Sequence, residues 1–468
     1  MAGKLGREAV QRVVRQLRAE IEDREETFRA LGVESMEAIR ELRRQAQLPE
    51  GADLPDIFLL VDGWEAFKRE FEELHREVEQ LAADGLNFGV HVVVTANRWA
   101  EIRPALLDNL GVRLELHLND AVDSIVSKAA QGSLPADIPG RGITREGLHF
   151  QAALPRVDGK AETDGATAAL EAMLAEAANR WPDEPAEPIR LLPRELDPAD
   201  LPAASPAGIA IGLEERRLEP VHVDLEGGDA HFLVFEDSGS GKSSLLRLLA
   251  RGIAGLWSPE EAQLVVVDTR RSLVDLAGGD HLLAYAGTQP AVAEAVAEVA
   301  RIAGGRMPSA GVSAAGSEVS QWEGPRIYIL FDDYDLATGP AGSPLAPLVD
   351  LLPVGRDIGL HLVLTRRVAG TVRAGYEQVF QRVREIGSPG LLLSGERGEG
   401  ALLSEERASP QPPGRGLLVR RGEPSVLVQA ALAAPELSGV SRPSRRAALS
   451  GATDREPPFP VSETEVTP

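Results

Sequence analysis

The chain has 468 residues, 43% of them hydrophobic, with a formal net charge of −23; that suffices for roughly two to three domains with ample core, and its average field repels polyanions, which disfavours nucleic acid as the main partner. The absence of cysteine excludes disulfides, thiolate nucleophiles and cysteine-ligated metals, and suits a reducing compartment. The eight histidines are scattered without metal-ligand spacing, no apolar run reaches the ~18 residues of a membrane span, and the N-terminus lacks an apolar signal-peptide core, so a cytoplasmic protein is expected.

In chain order, "LGREAVQRVVRQLRAEIEDREETFRAL" (5–31) places apolar residues at helical spacing among charges of both signs. This predicts an amphipathic helix packed on a sheet rather than one lying on a membrane. "IFLLVDGWEAF" (57–67) and "NFGVHVVVTANR" (87–98) then read as buried parallel strands, one ending in aspartate and the other in threonine. Both recur as "IYILFDDYDLA" (327–337) and "DIGLHLVLTRRV" (357–368), and the interval from Asp62 to Thr95 equals that from Asp332 to Thr365, 33 residues. A third echo, "PGRGI" (139–143) against "PGRGL" (413–417), keeps the order. Three elements repeated in sequence imply tandem domains of one fold.

The copies differ in one respect. "HFLVFE" (231–236) leads into "DSGSGKSS" (237–244) and then the amphipathic "LLRLLARGIAGLW". Strand, glycine loop and helix in this order let backbone N–H groups and a helix N-terminus surround phosphate oxygens. Carried back by the distance separating Asp332 from Asp62, Lys242 falls before residue 1, so the first copy is expected to lack its phosphate loop. The expected organisation is therefore a partial domain over 1–156, a helix and Pro-rich linker over 157–205, a complete domain over 206–432, and a disordered tail over 433–468 rich in Pro, Ser and charge. The fold class is α/β: tandem P-loop NTPase domains with mostly parallel sheets, the first incomplete.

Within the second copy, ATP is expected on Ser238, Gly239, Ser240, Gly241, Lys242, Ser243 and Ser244, with Lys242 reaching the β- and γ-phosphates. Ser243 and Asp332 would hold Mg2+, Asp333 would orient an attacking water, and Thr365 would end the next strand as a polar sensor. Glu236 stands where such a loop usually begins with glycine. It introduces a Cβ where a tight turn demands positive φ, and a carboxylate beside an anionic ligand, so weak binding is expected. Asp333 is a methylene shorter than glutamate, so hydrolysis should be slow. A loop retained for its shape, without nucleotide, is the competing reading.

"DIFLLVDGWEAF", "NFGVHVVVTANRWAEIRPAL", "GVRLELHLNDAVDS", "HFLVFEDSGSGKSSLLR", "IYILFDDYD" and "GLHLVLTRR" together resemble the C-terminal part of the EccC-type, FtsK/SpoIIIE-like ATPases of type VII (ESX) secretion systems. Residues 1–156 are similar to the rear of the second ATPase domain, and 206–432 to the third. The resemblance implies a part in exporting small WXG100 (ESAT-6-like) proteins, with the last domain docking the cargo's signal. It also implies ring assembly, and either a membrane-anchored partner chain carrying the missing ATPase parts, which would bring this polypeptide to the inner face of the cell membrane, or a truncated gene. Arg113 matches the arginine that such domains lend to a neighbouring nucleotide site, or else is an ordinary surface or ion-paired residue. A DNA translocase fragment and a non-catalytic truncated interaction protein remain as alternatives; acidic charge and the lack of a DNA-reading domain oppose the former.

Overall fold

The structure, a computed structural model, describes residues 6–49, 52, 54–181, 189–237, 239–307, 322–338, 342–370 and 377–435. The chain divides into two compact units, residues 1–192 with 215–218, and residues 193–214 with 219–468.

Unit 1 contains α1 (Arg7–Leu31), α2 (Met36–Arg44), β1 (Ile57–Val61), α3 (Trp64–Glu70), α4 (Leu74–Asp84), β2 (Val90–Val94), α5 (Pro104–Asn109), β3 (Leu114–Leu116), α6 (Lys128–Gly132), β4 (Arg141–Thr144), β5 (His149–Gln151) and α7 (Ala166–Arg180). α1 buries Val10, Val14 and Leu17, the one-sided pattern its sequence predicts, and ends at Gly32 in the left-handed conformation. β1 and β2 pair in parallel, Ile57 opposite Val90 through Val61 opposite Val94. One face of this pair packs on Val14, Trp64, Leu81 and Leu106. On the other face Phe58 is 59%, Leu60 71% and Val93 44% exposed. β3, β4 and β5 form a separate antiparallel sheet.

Unit 2 contains β6 (Ile209–Glu214), β7 (Pro220–Val223), β8 (His231–Glu236), α8 (Lys242–Leu256), β9 (Ala262–Asp268), β10 (Leu282–Ala286), α9 (Gln289–Gly305), β11 (Arg326–Asp332), α10 (Tyr334–Ala337), β12 (Leu360–Arg367), α11 (Gln378–Ile386), β13 (Gly390–Leu392), β14 (Arg415–Val419) and β15 (Val426–Ala430). They build one sheet in the order β10-β9-β11-β12-β8-β13-β14-β15-β6-β7. The first six strands are parallel and the rest antiparallel. Every residue of β8 is buried, as the unbroken apolar run requires of a strand covered on both faces. The sheet is mostly parallel, as the sequence predicts, and the antiparallel extension adds strands that the sequence did not locate.

The repeat survives in detail. Tyr328 stacks on His361 at 4.6 Å and 19° in unit 2, and Phe58 on His91 at 4.7 Å and 19° in unit 1. In unit 2, Tyr328, Leu330 and Val363 lie in the core formed with Leu245, Leu246 and Leu249 of α8. Their counterparts Phe58, Leu60 and Val93 are the exposed residues of unit 1. β8 separates β12 from β13, whereas no strand among the described residues joins β2 to β3. Unit 1 thus presents the repeat as two sheet fragments.

No helix among the described residues is long and apolar enough to cross a membrane. The tail expected from 433 begins in contact with the domain: Ala433 is buried and its N–H donates to Ser244 Oγ at 2.7 Å. Residues 436–468 lie outside the described residues.

Candidate nucleotide site

The site forms where parallel strands β8, β9, β11 and β12 end, the edge at which open α/β sheets bind ligands. β8 delivers Glu236, the chain turns through Gly239 (φ 92°) and Gly241 (φ 127°), and α8 starts at Lys242 after the N-cap Gly241, which has no side chain to cap the helix. The two glycines hold a conformation that a Cβ would strain. The expected backbone strain at Glu236 is not found: it is the last residue of β8, paired opposite Arg367, and its φ is not positive.

Its carboxylate has the larger effect. Glu236 Oε2 accepts the Lys242 backbone N–H at 2.7 Å, and Oε1 accepts Lys242 Nζ at 2.6 Å. Both side chains are buried, 1% and 6% exposed. One backbone donor and the lysine ammonium are the groups a nucleotide phosphate takes in such loops, so the Glu236 oxygens stand in for phosphate oxygens. The cradle accepts an anion, and the chain supplies one.

Behind it lies a hydrogen-bonded carboxylate. Asp332, ending β11, accepts Ser243 Oγ (2.7 Å) and Ser272 Oγ (2.8 Å) on one oxygen and Thr365 Oγ1 (2.7 Å) on the other. Thr365 in turn accepts the Asp333 N–H at 3.0 Å. Unit 1 repeats the pattern: Thr95 Oγ1 donates to Asp62 at 2.6 Å and accepts the Gly63 N–H at 2.8 Å. Gly63 sits at φ 79° and Asp333 at φ 50°, so the second copy places an aspartate where the backbone favours glycine.

Asp333 points at the lysine. Its Oδ1 is 3.3 Å from Lys242 Nζ and its Oδ2 3.0 Å from Arg270 Nε. Three carboxylates, Glu236, Asp332 and Asp333, thereby surround two cations. Burial pushes Glu236 and Asp333 above the usual carboxylate range. Burial works to lower the Lys242 ammonium, yet it is held above its ordinary value because Glu236, followed by Asp333 and Asp332, outweighs that effect.

Of the residues expected at the nucleotide, Lys242, Ser243, Asp332, Asp333 and Thr365 are brought together. Ser240 is buried beside them, its Oγ donating to the Asp237 carbonyl at 3.0 Å and its carbonyl accepting the Gly414 N–H at 2.7 Å. The Ser244 hydroxyl bonds the backbone of Ala433, because the chain leaving β15 crosses there. Ser238 lies outside the described residues. Arg113, in unit 1, donates to the carbonyls of Leu107 (2.9 Å) and Leu110 (3.3 Å), capping the end of α5. Sequence reasoning missed Arg270, Ser272 and Asp268; the last accepts the Ser272 and Leu273 N–H groups and the Tyr285 hydroxyl. The signal was present, since "LVVVDTRRS" (264–272) is a third apolar strand ending in polar residues.

The donor set suits magnesium. A serine hydroxyl and a buried carboxylate are hard oxygen ligands that hold this ion jointly with phosphates. No group of three or more His, Cys, Asp or Glu side chains able to hold a metal occurs among the described residues.

A mostly parallel sheet with a glycine loop entering a helix, and an aspartate closing a neighbouring strand beside it, defines a P-loop NTPase fold. The FtsK/SpoIIIE family matches residues 2–158. The chain is 38% identical over 434 residues to the ESX secretion system protein EccC of Thermomonospora curvata, covering 92% of this chain and 33% of that protein. With EccC4 of the Mycobacterium tuberculosis ESX-4 system it shares 39% identity over 440 residues, covering 93% and 34%. With EccCb1 of the ESX-1 system of the same organism it shares 32% over 451 residues, covering 93% and 76%. A solved structure of Thermomonospora curvata EccC (ATPases 2 and 3), in complex with a signal sequence peptide, superposes with a TM-score of 0.69 at 38% identity, over 90% of this chain and 76% of that one. The chain belongs to the EccC family of FtsK/SpoIIIE ATPase-domain proteins of ESX, or type VII, secretion systems. It spans about a third of the length of the first two relatives.

Proposed function

We propose that unit 2 is an ATP-binding module of a type VII secretion apparatus that docks WXG100-class cargo and hydrolyses nucleotide slowly or not at all. The observation that carries this reading is the anion already seated on Lys242: a cradle with a paired ammonium and backbone N–H is built for phosphate oxygens, and Glu236 holds it closed. A nucleotide phosphate would take over the Lys242 ammonium. Ser243 and Asp332 would hold Mg2+, which supplies charge neutralisation on the phosphates. Asp333, bound between Lys242 and Arg270, is poorly placed to activate a water until those cations turn to the nucleotide, which supports slow turnover.

Cargo docking is supported by the Thermomonospora relative, whose ATPases 2 and 3 were solved with a signal sequence peptide. We extend the reading to a membrane-anchored partner carrying further ATPase parts, to assembly in a ring, and to a place at the inner face of the cell membrane through those partners. Arg113 would serve a neighbouring site only by releasing its two carbonyls.

Calorimetric titration of the whole chain with Mg-ATP, with Lys242→Ala alongside, tests the nucleotide site. Saturable binding lost in the variant is expected. Absence of binding by both this chain and its Glu236→Gln variant, each shown folded by near-ultraviolet circular dichroism, would mean that the loop persists for shape alone.

A further inference from the structure

At the end of the unit 2 sheet where β8 and β13 begin, opposite the phosphate loop, lies a cavity of about 300 Å3 lined by Leu233, Arg384, Gly387, Ser388, Leu403, Ser404, Val419 and Arg421. Its floor is apolar: Leu233, Leu403 and Val419 are each at most 5% exposed. Two arginines stand at its walls. Among the described residues Arg384 makes only a long contact, 3.5 Å, to the Ala401 carbonyl. The stem of Arg421 lies across Gly387, where an added Cβ would come within 2.6 Å of its Cδ. Neither guanidinium has a carboxylate partner among the ion pairs of the described residues, in a chain carrying 72 acidic residues against 49 basic ones. Ser388 adds a buried hydroxyl without a hydrogen-bond partner among the described residues, which buried polar groups seldom tolerate.

We infer that this cavity binds a carboxylate carried on a short aliphatic group, the anion on Arg384, Arg421 and Ser388 and the aliphatic part on Leu233, Leu403 and Val419. Guanidinium groups match a carboxylate in planar, bidentate geometry. A phosphate fits less well. The local backbone donors are already used, the Gly387 N–H on Arg384 O and the Ser388 N–H on Val383 O, in the turn that closes α11. The carbonyl end of that helix carries partial negative charge, which penalises a dianion more than a monoanion. Two sources offer this chemistry: a free short-chain carboxylic acid, or the terminal carboxylate of a peptide ending in an aliphatic residue. The inference is independent of the nucleotide reading.

The test is titration of the whole chain, followed by ligand-observed NMR and calorimetry, with hexanoate, N-acetyl-leucine and uncharged N-acetyl-leucinamide. Saturable binding of at least one acid, no binding of the amide, and at least tenfold loss in both Arg384→Met and Arg421→Met are expected. Both arginines are exposed, so the variants keep the core. Preference for N-acetyl-leucine assigns the site to a peptide terminus, and equal or better binding of hexanoate assigns it to a free acid. Equal binding of the amide, undiminished binding in both variants, or no binding of either acid at millimolar concentration overturns the inference.

Discussion

Replacing Glu236 by glutamine tests whether the closed phosphate cradle limits nucleotide affinity. The amide keeps the size of the side chain and one oxygen to accept from Lys242, and removes only the charge. In the native chain a phosphate reaching Lys242 must part an ion pair made at 2.6 Å between side chains 1% and 6% exposed. Withdrawing one partner of a buried pair costs about 3–5 kcal/mol. Charged hydrogen bonds from the ammonium to the arriving phosphate return about 1.5–3 kcal/mol. At the middle of both ranges the carboxylate therefore opposes binding by about 2 kcal/mol, roughly twentyfold in Kd. Calorimetric titration at pH 7.5 should show Mg-ATP binding tightened by that factor in Glu236→Gln, and at least as much in Glu236→Gly. An unchanged or weaker Kd in the folded variants would refute the account, because the carboxylate would then be holding the loop in shape rather than competing with the ligand.

Two further outcomes follow from the geometry. Thr365→Val strips a fully buried hydroxyl from Asp332 and from the Asp333 N–H, which should cost about 1–3 kcal/mol, whereas Thr95→Val at the exposed counterpart should cost less than half as much; hydrogen exchange of peptides spanning 326–335 and 57–64 reads each locally. His361, enclosed against Tyr328, has its pKa lowered to about 4 by burial. A histidine whose folded pKa lies below its unfolded value of 6.5 contributes stability that is present above pH 6.5 and lost as pH falls toward 4. Between pH 8 and pH 5.5 the loss is about 1.4 kcal/mol, and urea unfolding of His361→Phe should be less acid-sensitive than that of the native chain by this amount.

Much of the fold was legible because buried parallel strands announce themselves as apolar runs ending in polar residues, and because a duplication displays each signal twice. Asp62 with Thr95 and Asp332 with Thr365 reproduce one hydrogen-bonded clasp, and the equal spacing in the sequence pointed to it. The phosphate loop was equally plain. What escaped is what depends on the path of the chain in space. Nothing local shows that Arg270, following β9, reaches Asp333 after β11, or that Ala433 crosses over Ser244. Glu236 was visible as an anomaly and its carboxylate as a charge beside the ligand, but the expected backbone strain is absent: the backbone stays extended, and the carboxylate closes on the lysine six residues later. The antiparallel strands β14, β15, β6 and β7 were missed because β6 and β7 are brought beside β15 by pairings some two hundred residues apart in the chain.

The bare face of β1 and β2 has a thermal consequence. Heat capacity rises on unfolding in proportion to the apolar surface newly wetted. Phe58, Leu60 and Val93 already face water in the folded chain, while Tyr328, Leu330 and Val363 meet it only when unit 2 opens. Calorimetrically, unit 1 should behave as a small, shallow transition whose stability varies little with temperature. Unit 2 should carry nearly all the curvature, including whatever loss of stability the protein suffers in the cold.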